Sequence, residues 1–341
     1  MSNSSLSLQE WRDLYEAALE FKKLASWKWM HDSDIFGVQN PVNGEIGYCC
    51  IMGTLGEVFG LVVYLGTEGL AGHLKIQSGE IPPDDIDALH LQKYLAATFE
   101  GRKFLQKQDL QTIRKVGLKF RGPNSWPLFR SYRPGYHPWY LTNDEVKYLT
   151  LALQQATEVC LRFKKDRDML TPFKENHLLI RVPKRKGKGL NWTDEWLKPA
   201  PLEKVKIVLK PIDEIRLMRI KKKAFRQQGI WEIDFFYSPT AVREKGERPY
   251  YPYVFLWVDH YSAYILNLYM ATFSEYRSEF QEKFLSLVEK IKLLPEETLV
   301  KKKEVFKLIE PITSKLGIKL RLVKRLEMLE EAQASMYEYF E

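Results

Sequence analysis

Apolar residues first recur at helical spacing. Trp11, Leu14, Tyr15, Ala18, Phe21 and Ala25 follow Ser7 and Glu10, whose separation predicts a capping box and a helix running to Lys23 or Leu24. The runs Ile35 to Gln39 and Ile46 to Met52 flank an Asn43-Gly44 turn and predict a hairpin, and Val58 to Leu65 predicts a third strand. Thr67 to Gln77, Asp84 to Phe99 and Gln108 to Val116 read as helices. Asn143 to Lys165 reads as a longer one, with Val146, Leu149, Leu153, Ala156 and Cys160 on its apolar stripe. Trp126 to Tyr140 carries three prolines and reads as an aromatic loop packed on its domain. With a further strand at His177 to Val182, the first half is expected to be an α+β domain with a small antiparallel sheet.

Periodicity then lapses. Pro183 to Pro201 mixes Lys, Gly, Pro and Trp, and Leu202 to Arg219 fits helical and extended readings alike. Residues 183–226 are expected to be a basic linker region between domains at 1–182 and 227–341. In the second domain Ile230 to Tyr237, Tyr253 to Val258 and Ala263 to Met270 read as strands, the last two so apolar that they fit central positions covered on both faces. Thr272 and Glu275 offer a capping box for a helix carrying Phe280, Phe284, Leu287, Val288 and Ile291. Glu297 to Lys301 reads as a fourth strand, Glu304 to Leu316 as a helix closed by Gly317, Ile318 to Leu322 as a fifth strand, and Leu326 to Phe340 as a last helix. The order βββαβαβα predicts an α/β domain with a mixed five-stranded sheet, since helical crossovers make parallel neighbours.

A length of 341 residues suits two domains, and 45% hydrophobic with 13% aromatic residues is a globular composition. The opening MSNSSLSLQEWR lacks a basic start and an apolar segment, and no apolar run approaches the roughly 18 residues needed to span a bilayer, so a cytosolic protein without membrane contact is expected. Cys49, Cys50 and Cys160 show no metal-binding spacing and read as buried thiols. Net charge is +8, but Leu161 to Arg226 holds 20 Lys plus Arg against 8 Asp plus Glu, a balance of +12 that leaves −4 for the rest.

Several short motifs stand in a telling order. Trp231-Glu-Ile-Asp234 resembles the first-strand opening of retroviral integrase and transposase cores, Val258-Asp-His-Tyr-Ser262 resembles their second-strand hairpin, and Leu316-Gly-Ile318 resembles the entry to their fifth strand. The resemblance covers about a hundred residues and implies a ribonuclease-H-like fold. The whole chain also resembles two-domain bacterial proteins of unknown function, a likeness that implies no biochemical role.

In integrase-like enzymes clustered carboxylates hold two divalent metals about 3.5–4 Å apart. The resemblance makes Asp234 the candidate metal ligand; the alternative is a carboxylate satisfied by backbone or by a lysine or arginine. Period-two alternation puts Glu232, Asp234 and Phe236 on one face of the strand and Trp231, Ile233 and Phe235 on the other. The second acid belongs where this chain has Val300-Lys301-Lys302-Lys303. A like charge about 4 Å from a metal costs on the order of 1 kcal/mol or more even at surface dielectric. Glu304 could substitute only if the strand ran longer, and Glu327, Glu330 and Glu331 fill the region of the third acid, with a solvated helix face as their alternative. Asp259 reads as a turn former. His31-Asp32-Ser-Asp34 reads as a polar loop, and no phosphate loop, nucleophile elbow or zinc-protease helix is present.

Lys184, Arg185, Lys186, Lys188, Lys221, Lys222 and Lys223 are the candidate contacts to DNA or RNA, with Trp192 and Trp196 available to stack on unpaired bases. A solvated linker would explain the same lysines. The expectation is therefore a catalytically degenerate integrase-core-like protein, on balance no enzyme and without a cofactor, that binds nucleic acid or a nucleoprotein partner. One alternative is a metal-dependent nuclease or strand-transfer enzyme using Asp234, Glu304 and Glu330 with Mg2+ or Mn2+. Another is a protein–protein interaction module presenting the loop at Trp126 to Tyr140.

Overall fold

The computed structural model describes residues 7–81, 88, 90–187, 189–202, 211, 213–223, 226–272 and 275–340. The chain divides into two compact units, one of residues 1–134 with 138–203 and the other of 135–137 with 204–341.

The first unit opens with α1 (Leu8–Leu24), whose Ser7–Glu10 capping box forms as its spacing predicts. Strands β1 (Phe36–Gln39), β2 (Ile46–Met52) and β3 (Gly60–Leu65), helix α2 (Gly66–Gln77), β4 (Tyr94–Glu100), α3 (Lys107–Lys115), β5 (Trp126–Arg133), β6 (Tyr136–Trp139), α4 (Asn143–Lys165), β7 (Leu178–Lys186) and β8 (Gly189–Leu197) follow. The strands form one eight-stranded sheet of order β6-β5-β4-β3-β2-β1-β7-β8, with β1 and β7 parallel. One face packs under α1 and α4 through Cys49, Ile51, Leu61, Val63, Leu95 and Ala97, and the other carries Tyr48, Cys50, Val62 and Tyr64 against Leu70 of α2. Because adjacent residues such as Cys49 and Cys50 are both buried, the sheet is covered on both sides.

The small sheet expected here is therefore too small. Tyr94 to Phe99 is not helical: Leu95, Ala97 and Phe99 alternate into the core as strand residues, while 82–87 and 89 lie outside the described residues. Trp126 to Tyr140 is not a loop. Pro127 sits near the start of β5, where a missing donor is tolerated, and Phe129 is buried with no aromatic residue of the segment exposed. The linker reading of 183–226 also gives way, since β7 and β8 pair continuously from Leu178↔Leu197 to Lys186↔Gly189.

In the second unit, α5 (Glu214–Lys222) occupies the rest of that segment, with 203–210 and 212 outside the described residues. The short β9 (Arg226–Gln227) pairs with β13 (Leu293–Leu294). The main sheet contains β10 (Ile230–Tyr237), β11 (Tyr253–Asp259), β12 (Ile265–Ala271), β14 (Glu297–Val300) and β15 (Lys319–Leu322) in the order β12-β11-β10-β14-β15. The first three are antiparallel neighbours, while β10–β14 and β14–β15 are parallel, the pattern required when α6 (Tyr276–Ile291) and α7 (Lys303–Leu316) serve as crossovers. Helices α5, α6 and α7 cover one face through Leu217, Ile220, Phe280, Phe284, Leu308 and Ile312, and α8 (Glu327–Phe340) covers the other through Leu329. Phe235 anchors the first face: its ring centroid lies 5.2 Å from Tyr253, 5.1 Å from Tyr276 and 5.7 Å from Phe280, all edge-on. Such pairs contribute about 0.5–1.5 kcal/mol each beyond area burial.

Helix α2 lies against backbone because Gly69 and Gly72 present no side chain: a Cβ there would come within 2.4 Å of the Lys93 carbonyl oxygen and 2.5 Å of that of Leu91. Gly69→Ala is expected to destabilise the first unit by about 1–3 kcal/mol, the range for overpacking a closed contact. Denaturant unfolding should show a lower midpoint at unchanged slope, and an unaltered midpoint would mean that α2 can lift away freely.

Candidate functional site

β10 is central in its sheet and its two faces obey the alternation expected from sequence: Trp231, Ile233 and Phe235 join one core and Phe236 the other. Glu232 and Asp234 thus point to the α8 side, where they are 1% and 6% exposed. A carboxylate buried this deeply needs donors or a counter-charge.

Asp234 finds both. Its Oδ1 accepts the Phe235 N–H at 2.8 Å, and its Oδ2 lies 3.6 Å from Nζ of Lys302. The same ammonium donates to the Phe235 carbonyl and stands 5.2 Å from the centroid of the Phe235 ring. Burial raises the Asp234 carboxyl above its ordinary value; Lys302, the Phe235 N–H and Lys301 pull it back without cancelling the rise.

Glu232 is held differently. One oxygen is 2.6 Å from Nδ1 of His260, and the other accepts the Leu329 N–H at 2.8 Å. Leu329 lies in the first turn of α8, so a strand carboxylate satisfies one of the helix's unpaired donors and faces the positive end of its dipole. Neither His260 nor this capping contact follows from motif spacing. The available signal was the shared parity of Glu232 with Asp234, which obliges a second buried acid to find partners.

The remaining acids proposed for a metal do not join Asp234. Strand β14 ends at Val300, and Glu304 in the first turn of α7 accepts from Arg277 Nε at 2.7 Å and the Tyr276 hydroxyl at 2.9 Å. Glu330 is bracketed by Lys301 at 2.8 Å and Arg325 at 3.2 Å; against burial, these cations hold its carboxyl below the ordinary value. Asp259 accepts from Ser262 Oγ at 2.7 Å and from the Ser262 and Tyr261 N–H groups, closing the turn as expected. Among the described residues no three His, Cys, Asp or Glu side chains converge to hold a metal ion. Each of the three acids carries its own cation, a donor set that does not fit a two-metal centre.

The basic candidates fall in separate units. Lys184 and Arg185 are exposed toward the turn of the β7–β8 hairpin, with Lys186 ending β7 and Lys188 outside the described residues. Lys221 and Lys222 close α5, Lys223 caps it, and all three are exposed. Other cations of the same stretch are structural. Buried Arg181 bonds Gln155, Asp194 and Glu158 at 2.7–3.0 Å, and Arg162 meets Asp194 at 2.6 Å. Against burial, those two arginines hold Asp194 below its ordinary value. Trp192 and Trp196 are half-buried against the first unit's core.

The chain belongs to the family described as a domain of unknown function (DUF7309), which matches residues 11–181, half of its length. A second domain of unknown function (DUF6930) matches residues 216–337. No curated protein matches. Two solved structures of the HTLV-2 integrase catalytic core domain in complex with magnesium, in dimeric and trimeric form, are similar at 17% and 16% identity, with TM-scores of 0.24 and 0.25. The likeness covers 31% and 32% of this chain and 64% and 66% of theirs, so the chain spans less than two thirds of either. No helix among the described residues is long and apolar enough to cross a membrane.

Since its carboxyl value is raised, folded Asp234 keeps, between the ordinary and the raised value, a proton that the unfolded chain has lost. Its contribution to stability is greatest below the ordinary carboxyl value and declines as pH rises through the raised one. Removing the Lys302 ammonium raises that value further. Lys302→Met is therefore expected to cost about 1–3 kcal/mol at neutral pH, the partial exposure of Lys302 keeping the loss below that of a fully buried pair. The loss should shrink on acidification, and adding Asp234→Asn should recover most of it. Denaturant unfolding of both single variants and the double variant from acid to neutral pH checks this. A loss independent of pH would mean that Lys302 acts through packing alone.

Proposed function

We propose that this member of the DUF7309 family binds nucleic acid, or a nucleoprotein surface, and that its second unit is a ribonuclease-H-like domain in which ammonium groups stand where an integrase-like metal site would be. The observation that carries the binding reading is the exposure of five of the candidate cations, Lys184, Arg185, Lys221, Lys222 and Lys223. Of these Lys184 meets Glu195 at 3.2 Å, a surface pair that contributes little and leaves its charge available. Lys186 and Lys188 continue the same hairpin in sequence.

The ribonuclease-H-like reading draws support from the strand order β12-β11-β10-β14-β15 with its antiparallel meander and two parallel crossovers. Loss of hydrolytic chemistry draws support from Lys302, whose ammonium serves Asp234 as a fixed internal cation. A divalent ion would have to displace it and then meet Lys301. A cytosolic setting agrees with three buried free thiols, Cys49, Cys50 and Cys160.

At low salt, filter binding by the full chain is expected to retain single-stranded or duplex DNA or RNA at micromolar protein. Affinity should fall with a log–log salt slope of roughly 0.7–0.9 per phosphate neutralised. Replacing Lys221, Lys222 and Lys223 by Gln should reduce that slope, whereas Asp234→Asn should leave retention unchanged. Failure to retain any of these nucleic acids would sink the reading, and cleavage in Mg2+ or Mn2+ abolished by Asp234→Asn would replace it with the enzyme.

A further inference from the structure

The two edges of the second unit's sheet are built differently. β15 carries Lys319 and Arg321, which bond Glu297 at 3.5 and 2.7 Å, and charge of this kind blunts an open edge. β12 has β11 as its only strand neighbour among the described residues. From His260 to Thr272 the chain contains no Lys, Arg, Asp or Glu. Ile265, Leu268 and Met270 of β12 are 43%, 45% and 46% exposed, and Tyr261 and Tyr264 in the preceding turn are 74% and 69% exposed.

A β-bulge explains why those three aliphatic residues share a face. The register shift between Trp257 and Val258 sets Ile265 opposite Val258, whereas Leu268 and Met270 lie opposite Leu256 and Val254. Val254, Leu256 and Val258 all belong to the core under α8. Since α8 packs across β10 and β11, the stripe on β12 carries this core past the helix to an exposed edge.

We infer that β12 is a self-pairing edge: two copies of the chain join antiparallel through β12 across a two-fold axis, merging their five-stranded sheets into one. The strand's own chemistry selects a second copy as the occupant. Two-fold pairing sets each residue opposite a residue of the same strand, so any charge would approach its like, and this strand has none. An axis at Leu268 or Tyr269 keeps stripe against stripe, with Leu268 meeting Leu268 or Met270 of the second copy. The open edge supplies backbone donors and acceptors for the new ladder. A foreign extended peptide would draw specificity from side-chain pockets or opposite charge, and β12 offers neither an acid nor a base to select one.

Sedimentation equilibrium of the full chain without nucleic acid is the test. A reversible dimer is expected, and Leu268→Lys with Met270→Lys, which opposes ammonium groups across the axis, should weaken it at least about tenfold. Hydrogen exchange on the unmodified chain keeps the test independent of whether that variant folds: amides of β12 should gain protection as concentration rises, while those of β15 should not. A monomer at every concentration, or a dimer whose β12 exchange does not respond, would overturn the proposal. Neither outcome bears on nucleic-acid retention.

Discussion

A strand buried on both faces cannot carry a bare carboxylate, and β10 carries two. Leaving either charge unpaired would cost several kcal/mol, comparable to the net stability of a domain. The fold answers each acid with a different element. Glu232 takes the Leu329 N–H and His260, which fixes the start of α8 over the sheet, and Asp234 takes Lys302 from the β14–α7 junction. Two contacts that look like local repairs thus tie the central strand to elements 68 and 97 residues away.

That arrangement separates the acids from one another. A metal centre of the two-ion kind brings carboxylates together around ions about 3.5–4 Å apart. Here compensation is intramolecular, with Lys302 at Asp234, Arg277 at Glu304, and Lys301 and Arg325 at Glu330. Because Asp234 still titrates above its ordinary value, burial outweighs Lys302, and the pair is better seen as damage limited than as a strong ionic lock.

Legibility in the sequence followed how strongly a segment's own pattern stated its environment. Most of the second unit was readable because β11 and β12 carry near-continuous apolar runs and α6 and α7 keep helical spacing, but β12, expected at a central position, is an edge strand with Ile265, Leu268 and Met270 exposed. Even there, Thr272 Oγ1 donates to Glu275 at 3.0 Å yet the helix begins only at Tyr276, with Glu275 at the cap position and its side chain bonding no N–H of the first turn. In the first unit the pattern misled. β4 is Tyr-Leu-Ala-Ala-Thr-Phe-Glu, whose Leu and Ala suit a helix, and only the neighbouring β3 and β5 make it a strand. The partners of Glu232 were illegible for another reason: they come from a turn and a helix terminus, and no spacing rule connects them to β10.

The basic stretch shows the same distinction acting on charge. Its balance of +12 counts Arg162, Arg181 and Arg216 equally with Lys221, yet those three arginines are spent on Asp194, Glu158, Glu282 and Glu289. Arg181 is 4% exposed and helps pack β7 and β8 against α4, so its charge builds the sheet edge and none of it reaches a ligand. The exposed remainder includes Lys184 and Arg185 near the hairpin turn and Lys221 to Lys223 at the end of α5. Lysines at a helix C-terminus also favour the dipole, so Lys221 to Lys223 stabilise α5 whether or not a phosphate ever approaches them. Net charge is therefore only an upper bound on a binding surface until the paired cations have been subtracted.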